Sequence, residues 1–266
     1  MRVTVLGKSP SWQDVDGACS GYLVRDGQTT LLIDAGNGVF SKLRSHVDYV
    51  EVDGVVVSHM HADHFLDLVP YSYALTYAPR QQPVPIPPWW EGTDDPARPF
   101  LHLPQGGRDV LRRVVGSWGD EDLVENAFHM TEYAPDDVVE VGTLRVRFHP
   151  VPHYLPTYAV EVTSSVNGSG RLTYGADCSP NAELVEFARD TDLLIIEATL
   201  PRPERDGMRG HLTPGEAGEH GREAGAKRLV ITHMSDEMDP GWAQEEAERA
   251  FGGPVELARE GVTYDV

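Results

Sequence analysis

The order of apolar and polar positions predicts four strands ahead of His59. Residues 2–7, 21–25 and 29–34 are apolar or alternating runs closed by glycine or aspartate, and Asp26-Gly27 is a hairpin signal between the second and third. Gly36-Asn37-Gly38 interrupts the chain before a short amphipathic stretch that ends near Leu43, and residues 54–58 form a largely apolar run leading to His59. Beyond it Phe65, Leu66, Leu68, Val69, Tyr73 and Leu75 recur at helical spacing, with Pro70 expected to kink that helix.

Residues 81–99 are rich in proline and hold Trp89-Trp90 and Asp94-Asp95, the pattern of a long inserted loop. The paired tryptophans suit a substrate lid or, more ordinarily, packing on the protein's own surface. After a helical stretch at 107–115 the early grammar returns. Strands are expected at 143–151, 158–163, 171–176, 193–197 and 228–232, and helices at 181–189 and 214–224. Each half thus offers consecutive strands followed by helices, with no βαβ alternation evident. The pattern predicts two sheets packed face to face with helices outside, read as one domain over residues 1–266.

With 266 residues, 40% of them hydrophobic and 24% charged, the chain can bury a substantial core. It has no apolar run approaching the roughly 18 residues of a membrane span, and its first residues enter strand alternation without a secretory pattern. The expected location is cytoplasmic, away from membranes. Cys19 and Cys178 are the two cysteines, which excludes a disulfide framework and a Cys-rich zinc site, so any metal must be held by histidine and carboxylate. A formal net charge of −20 repels nucleic acid unless basic residues cluster. The densest group, Arg108, Arg112 and Arg113, reads as a solvated helix face.

Candidate chemistry concentrates in His59-Met60-His61-Ala62-Asp63-His64, four potential ligands where an apolar strand gives way to a helix. On an extended segment His59 and His61 project to one side and can share a metal. Asp63 and His64 begin the helix and can turn toward a second. Imidazole and carboxylate suit Zn2+, and also Mn2+ or Fe2+. The plain alternative, surface histidines at a helix start, sits poorly beside so apolar a strand.

His-x-His-x-Asp-His after a short apolar strand resembles the defining motif of the metallo-β-lactamase superfamily. The resemblance implies that His153, in Pro150-Val151-Pro152-His153, is the third ligand of the first metal. It implies likewise that Asp177, in Thr173-Tyr174-Gly175-Ala176-Asp177, bridges both metals, and that His233, in Val230-Ile231-Thr232-His233, completes the second. His153 and Asp177 would each be weak alone, as a bonded strand histidine and a turn or cap residue. His233 has an independent case, because like His59 it ends a short apolar strand. The resemblance runs from Arg2 to Val266 and implies an α/β fold, a four-layer αβ/βα sandwich, together with two divalent ions, foremost Zn2+, and a homodimer.

The segment Gly210-His211-Leu212-Thr213-Pro214-Gly215-Glu216-Ala217-Gly218 is similar to one found in ribonuclease Z-like phosphodiesterases. That similarity implies that His211 sits over the reacting phosphate and that Thr213 caps a helix. Asp63 and His211 are then the catalytic candidates, Asp63 orienting the attacking water or taking its proton and His211 stabilising the oxyanion or protonating the leaving oxygen.

Ribonuclease Z enzymes grip transfer RNA with a long basic arm, whereas the one long insertion here carries Arg98 as its only basic residue. A small anionic diester, a cyclic nucleotide or cyclic phosphate, is therefore expected, with nucleic acid disfavoured. The other readings are transfer-RNA 3′ processing, a specialised biosynthetic hydrolase on a non-phosphate substrate, and a metal-binding protein without turnover. Ala159, Ala176-Asp177-Cys178 and Gly7-Lys8-Ser9-Pro10 depart from the branch's usual residues and keep the last two open.

Overall fold

The computed structural model describes residues 1–166, 170–203, 207 and 209–266. Its framework is a pair of seven-stranded mixed sheets. In the first, β1 (Arg2–Gly7), β2 (Gly21–Asp26) and β3 (Thr29–Ile33) run as an antiparallel meander, which β4 (Gly54–Val56), β5 (Phe100–Pro104) and β6 (His129–Tyr133) extend in parallel. The second repeats the plan. There β7 (Val138–Val141), β8 (Leu144–Val151), β9 (Thr157–Ser164) and β10 (Arg171–Tyr174) are antiparallel, and β11 (Leu193–Glu197), β12 (Leu229–Thr232) and β13 (Val255–Leu257) follow in parallel. The last strand, β14 (Thr263–Asp265), returns to pair with β1 at the edge of the first sheet.

Helices occupy the parallel connections. In the first half these are α1 (Val39–Leu43), α2 (Ala62–Phe65), α3 (Leu68–Tyr77), α4 (Gly107–Gly116) and α5 (Leu123–Ala127). In the second they are α6 (Ala182–Phe187), α7 (Pro214–Ala224) and α8 (Pro240–Phe251). The expected absence of βαβ alternation is thereby corrected, since every parallel pair is a strand-helix-strand crossover. The alternation was hidden because Phe100-Leu101-His102-Leu103-Pro104 and His129-Met130-Thr131-Glu132-Tyr133 carry polar residues and a proline, and lack the apolar run of a buried strand.

Three apolar layers follow from strict alternation along strands covered on both faces. Leu31, Ile33, Leu193 and Ile195 face the layer between the sheets, with Val5, Tyr22, Phe148, Val160 and Tyr174. Their neighbours point outward. Leu32, Val55 and Leu101 pack on Val39, Leu68, Tyr71 and Leu111 of the first helical layer, and Leu194, Ile196, Leu229 and Ile231 pack on Leu184, Ala217, Ala243 and Ala247 of the second. Sheets and helices stack as the four-layer αβ/βα sandwich expected from the sequence.

Of the local expectations, the kink at Pro70 is not met. The chain breaks between α2 and α3, so Pro70 falls in the first turn of α3, where its missing N–H costs no helix bond and causes no kink. The 81–99 loop is tied down by hydrogen bonds. Gln81 donates to the carbonyls of Leu75 and Ala97, each at 3.2 Å, and Thr93 N donates to Gln82 O at 2.8 Å. The Arg80 guanidinium lies 4.9 Å from the Trp90 ring, so that tryptophan packs on its own chain. Arg108 and Arg112 pair with Glu125 and Asp122 on the surface, as a solvated helix face should. Among the described residues no helix is long and apolar enough to cross a membrane.

Candidate metal centre

The candidate ligands gather where the strands end. His59, His61, Asp63 and His64 follow β4, His153 follows β8, Asp177 follows β10 and His233 follows β12, all beyond carboxyl-terminal strand ends. At two of these exits, and at the end of β3, a residue other than glycine is held in the left-handed region: Ala176 at φ 52°, His233 at φ 59° and Asp34 at φ 57°. Such conformations persist where the surroundings enforce them, and they cluster at functional sites. Gly36 is needed for room, since a Cβ there would stand 1.9 Å from the Asp63 carbonyl oxygen.

Two four-residue groups result, each with ligand atoms within 4.8 Å of one another: His59, His61, His153 and Asp177, then Asp63, His64, Asp177 and His233. Asp177 belongs to both. His61 Nδ1 is 3.1 Å from His59 Nε2 and 3.1 Å from His153 Nε2. His233 Nε2 is 3.3 Å from Asp63 Oδ2 and 3.4 Å from Asp177 Oδ2. All seven candidate ligand residues therefore lie in these two groups, with Asp63 and His64 together in the second.

The surrounding hydrogen bonds decide which nitrogens carry protons. Ser58 Oγ donates to Asp34 Oδ2 at 2.8 Å, so it accepts from His59 Nδ1 at 3.0 Å. His64 Nδ1 donates to Asp34 Oδ2 at 2.7 Å, and His153 Nδ1 donates to the Gly210 carbonyl at 2.8 Å. Thr199 Oγ1 donates to Glu197 at 2.7 Å and accepts from His233 Nδ1 at 2.8 Å. In four histidines Nδ1 thus faces outward and Nε2 faces the cluster, the arrangement by which outer partners orient metal-binding imidazoles.

Lone pairs and carboxylates facing one another repel unless a cation lies between them. Among the described residues, His64 Nε2 and Asp177 Oδ1 are buried without a hydrogen-bond partner. His64 Nε2 is 3.4 Å from Asp177 Oδ2, in range but poorly aligned for a bond. Orphaned buried atoms of this kind call for an explanation, and a divalent cation in each group supplies one. The residues present fit such ions.

The electrostatics agree. Burial, reinforced by the neighbouring His64, holds His59 well below the ordinary histidine range, and burial also lowers His61 and His153. These three are neutral donors. Burial would lower His64 too, but the carboxylates of Asp177 and Asp34 outweigh it and hold a proton there. Asp177 goes the other way. Burial raises it, and His233 and His64 pull it well below the carboxylate range. In the metal-free chain a proton on His64 offsets carboxylate charge, a role that a bound divalent cation would take over.

His211 lies beside this cluster, with its ring 5.6 Å from that of His233 and nearly parallel at 20°. Its Nδ1 is 2.8 Å from Glu197 Oε1. Glu197, His211 and His233 also have the spacing of a ligand group, but Glu197 Oε1 already bonds His211 and Cys178 N, and its other oxygen bonds Thr199 and Leu212 N. We read it as a hydrogen-bonded anchor. Glu197 and Asp34 went unrecognised in the sequence, where they close strands as ordinary polar ends. The usable signal was a carboxylate at the end of a fully apolar strand, which is costly unless partners await it.

Comparison with known proteins matches this geometry. The family model described as the beta-lactamase superfamily domain matches residues 29–234, and the chain belongs to that superfamily. It is 29% identical over 270 residues, covering all of both chains, to the probable metallo-hydrolase YhfI of Bacillus subtilis (strain 168). The crystal structure of YhfI superposes with a TM-score of 0.83 at 26% identity, over 99% of each chain. A ribonuclease Z of Myxococcus xanthus (strain DK1622) is 28% identical over 301 residues, with 100% of this chain and 98% of that one covered. A diphosphatase from the PhnP family shares the fold, with a TM-score of 0.69 at 20% identity over 99% and 97% of the two chains. The chain is a metal-dependent hydrolase and fits the ribonuclease Z-like branch.

Proposed function

We propose that the protein hydrolyses a small phosphodiester, a cyclic nucleotide or comparable cyclic phosphate, with two divalent cations, foremost Zn2+, held by His59, His61, His153 and Asp177 and by Asp63, His64, Asp177 and His233. When bound, such cations acidify a water molecule and neutralise charge on phosphoryl oxygens. The rest falls to the chain's own residues.

Burial raises the Asp63 carboxyl, but its bonds with His233 and His64 outweigh that and keep it ionised far below the usual range. A carboxylate so acidic is better fitted to orient an attacking water than to keep its proton. The observation that carries the proposal is the Glu197–His211 pair. A buried carboxylate holds His211 Nδ1 at 2.8 Å and fixes the ring beside the cluster, with the same nitrogen 3.9 Å from Asp177 Oδ2. An alkoxide leaving from phosphorus needs a proton at that moment, and His211 is placed to give it.

The small substrate is supported by the net charge of −20 and by a loop at 81–99 with a single arginine. Purified, metal-replete protein is expected to turn over bis-(p-nitrophenyl) phosphate or cyclic AMP, and Asp63→Ala to abolish it. Absence of turnover with every diester would sink the proposal. A second reading, transfer-RNA 3′ processing, has support from the ribonuclease Z likeness across the whole chain. It requires cleavage of a precursor transfer RNA with steep loss of affinity as salt rises.

A further inference from the structure

Tyr154 immediately follows His153 and stands at the mouth of the cluster. Its ring centroid lies 4.9 Å from that of His153 and 5.9 Å from that of His211. Those planes meet at 51° and 67°, so neither imidazole lies flat against the phenol ring. While His59, His64, Asp177 and His233 are at most 1% exposed, Tyr154 is 46% exposed. Among the described residues no other exposed aromatic ring is in contact with the histidines of the cluster.

The ring is seated rather than loose. A Cβ at position 210 would come within 2.2, 2.4 and 2.8 Å of three of its atoms, so Tyr154 rests on bare backbone that only glycine provides. The Gly210 carbonyl also accepts from His153 Nδ1 at 2.8 Å. One glycine thus orients a candidate ligand and carries the aromatic ring beside it. A large exposed aromatic surface next to a charged pocket is costly in water, and it suits a ligand with a planar face adjoining an anionic group.

We propose that Tyr154 stacks the base of a cyclic mononucleotide and makes the enzyme prefer nucleobase-bearing diesters to base-free ones. This rests on the phosphodiesterase reading. Stacking tolerates any base, because each presents a π-face, so the preference is for a nucleotide and not for one particular base.

The test compares 2′,3′-cyclic AMP with glycerol 1,2-cyclic phosphate, five-membered cyclic diesters with and without a base, on metal-replete wild type, Tyr154→Phe and Tyr154→Leu. A second readout is the fluorescence of an etheno-adenine cyclic nucleotide, which stacking quenches. Tyr154→Leu should lose on the order of ten-fold to a hundred-fold more kcat/KM on the nucleotide than on the glycerol diester, chiefly through KM, and should lose the quenching. Tyr154→Phe should retain both. Equal losses on the two diesters, or wild-type behaviour of Tyr154→Leu, would overturn the stacking role while leaving the phosphodiesterase reading intact. Wild type that cleaves neither of these two diesters and does not quench the etheno-adenine nucleotide would overturn the stacking role, and only failure on every diester would also overturn the phosphodiesterase reading.

Discussion

Glu197 Oε1 lies 2.8 Å from His211 Nδ1, and the same carboxylate reaches His233 through the Thr199 hydroxyl. One buried acid therefore sets the orientation of a candidate ligand and of the candidate proton donor. Glu197→Gln preserves shape and removes the charge that faces His211 Nδ1. Turnover should fall about 10²- to 10⁴-fold, the range for losing a general acid, while metal content measured by elemental analysis stays at the wild-type level. Undiminished kcat would remove His211 from the chemistry.

Asp34 fixes the opposite side. It accepts from Ser58 N at 2.7 Å, from Ser58 Oγ at 2.8 Å and from His64 Nδ1 at 2.7 Å, and so orients His59 and His64 together. Asp34→Asn should weaken metal binding by about 10- to 100-fold, as loss of such outer partners does. Competition with a chromophoric chelator measures this, and an unchanged affinity would contradict the proton assignment above.

Thr213 and Glu216 form a reciprocal cap at the start of α7, the helix that follows His211. Thr213→Ala should cost about 1 kcal/mol, seen as a melting temperature lower by about 2–4 °C. Burial raises Glu216, but its bonds with Arg209 and Thr213 outweigh that and lower it. A depressed folded-state pKa contributes stability above the unfolded value and loses it as pH falls. The Thr213→Ala deficit should therefore shrink below about pH 4.

Both cysteines are fully buried. Burial, aided by the negative charge of Asp63, pushes the Cys19 thiol up to about 12, leaving almost no thiolate at pH 8. Iodoacetamide at that pH should label neither residue in the native protein and both in guanidinium. Rapid native labelling of either would show that these strand ends open in solution.

Much of this was legible in the sequence because strand ends are marked by apolar runs. The runs before His59 and His233 located both halves of the centre, and the cap at Thr213 was legible through the resemblance. His153 and Asp177 were legible only through resemblance, since neither has a local pattern that separates a ligand from a turn residue. Glu197 and Asp34 were missed because their roles depend on partners 14 and 30 residues away, His211 and His64. Strands β5 and β6 were missed because Phe100 and most of β6 face partly outward and His102, though buried, is polar, which breaks the apolar signature. Tyr154 had no sequence signal at all, as its place depends on Gly210 passing beneath it.

The most direct test follows hydrolysis of bis-(p-nitrophenyl) phosphate while Zn2+ or Mn2+ is titrated into chelator-stripped protein. The stripped chain should be inactive, and turnover should rise to a plateau at about two equivalents per chain, as two-metal chemistry requires. Full turnover without added metal, or a metal-saturated protein that leaves this diester and cyclic AMP intact, would contradict it.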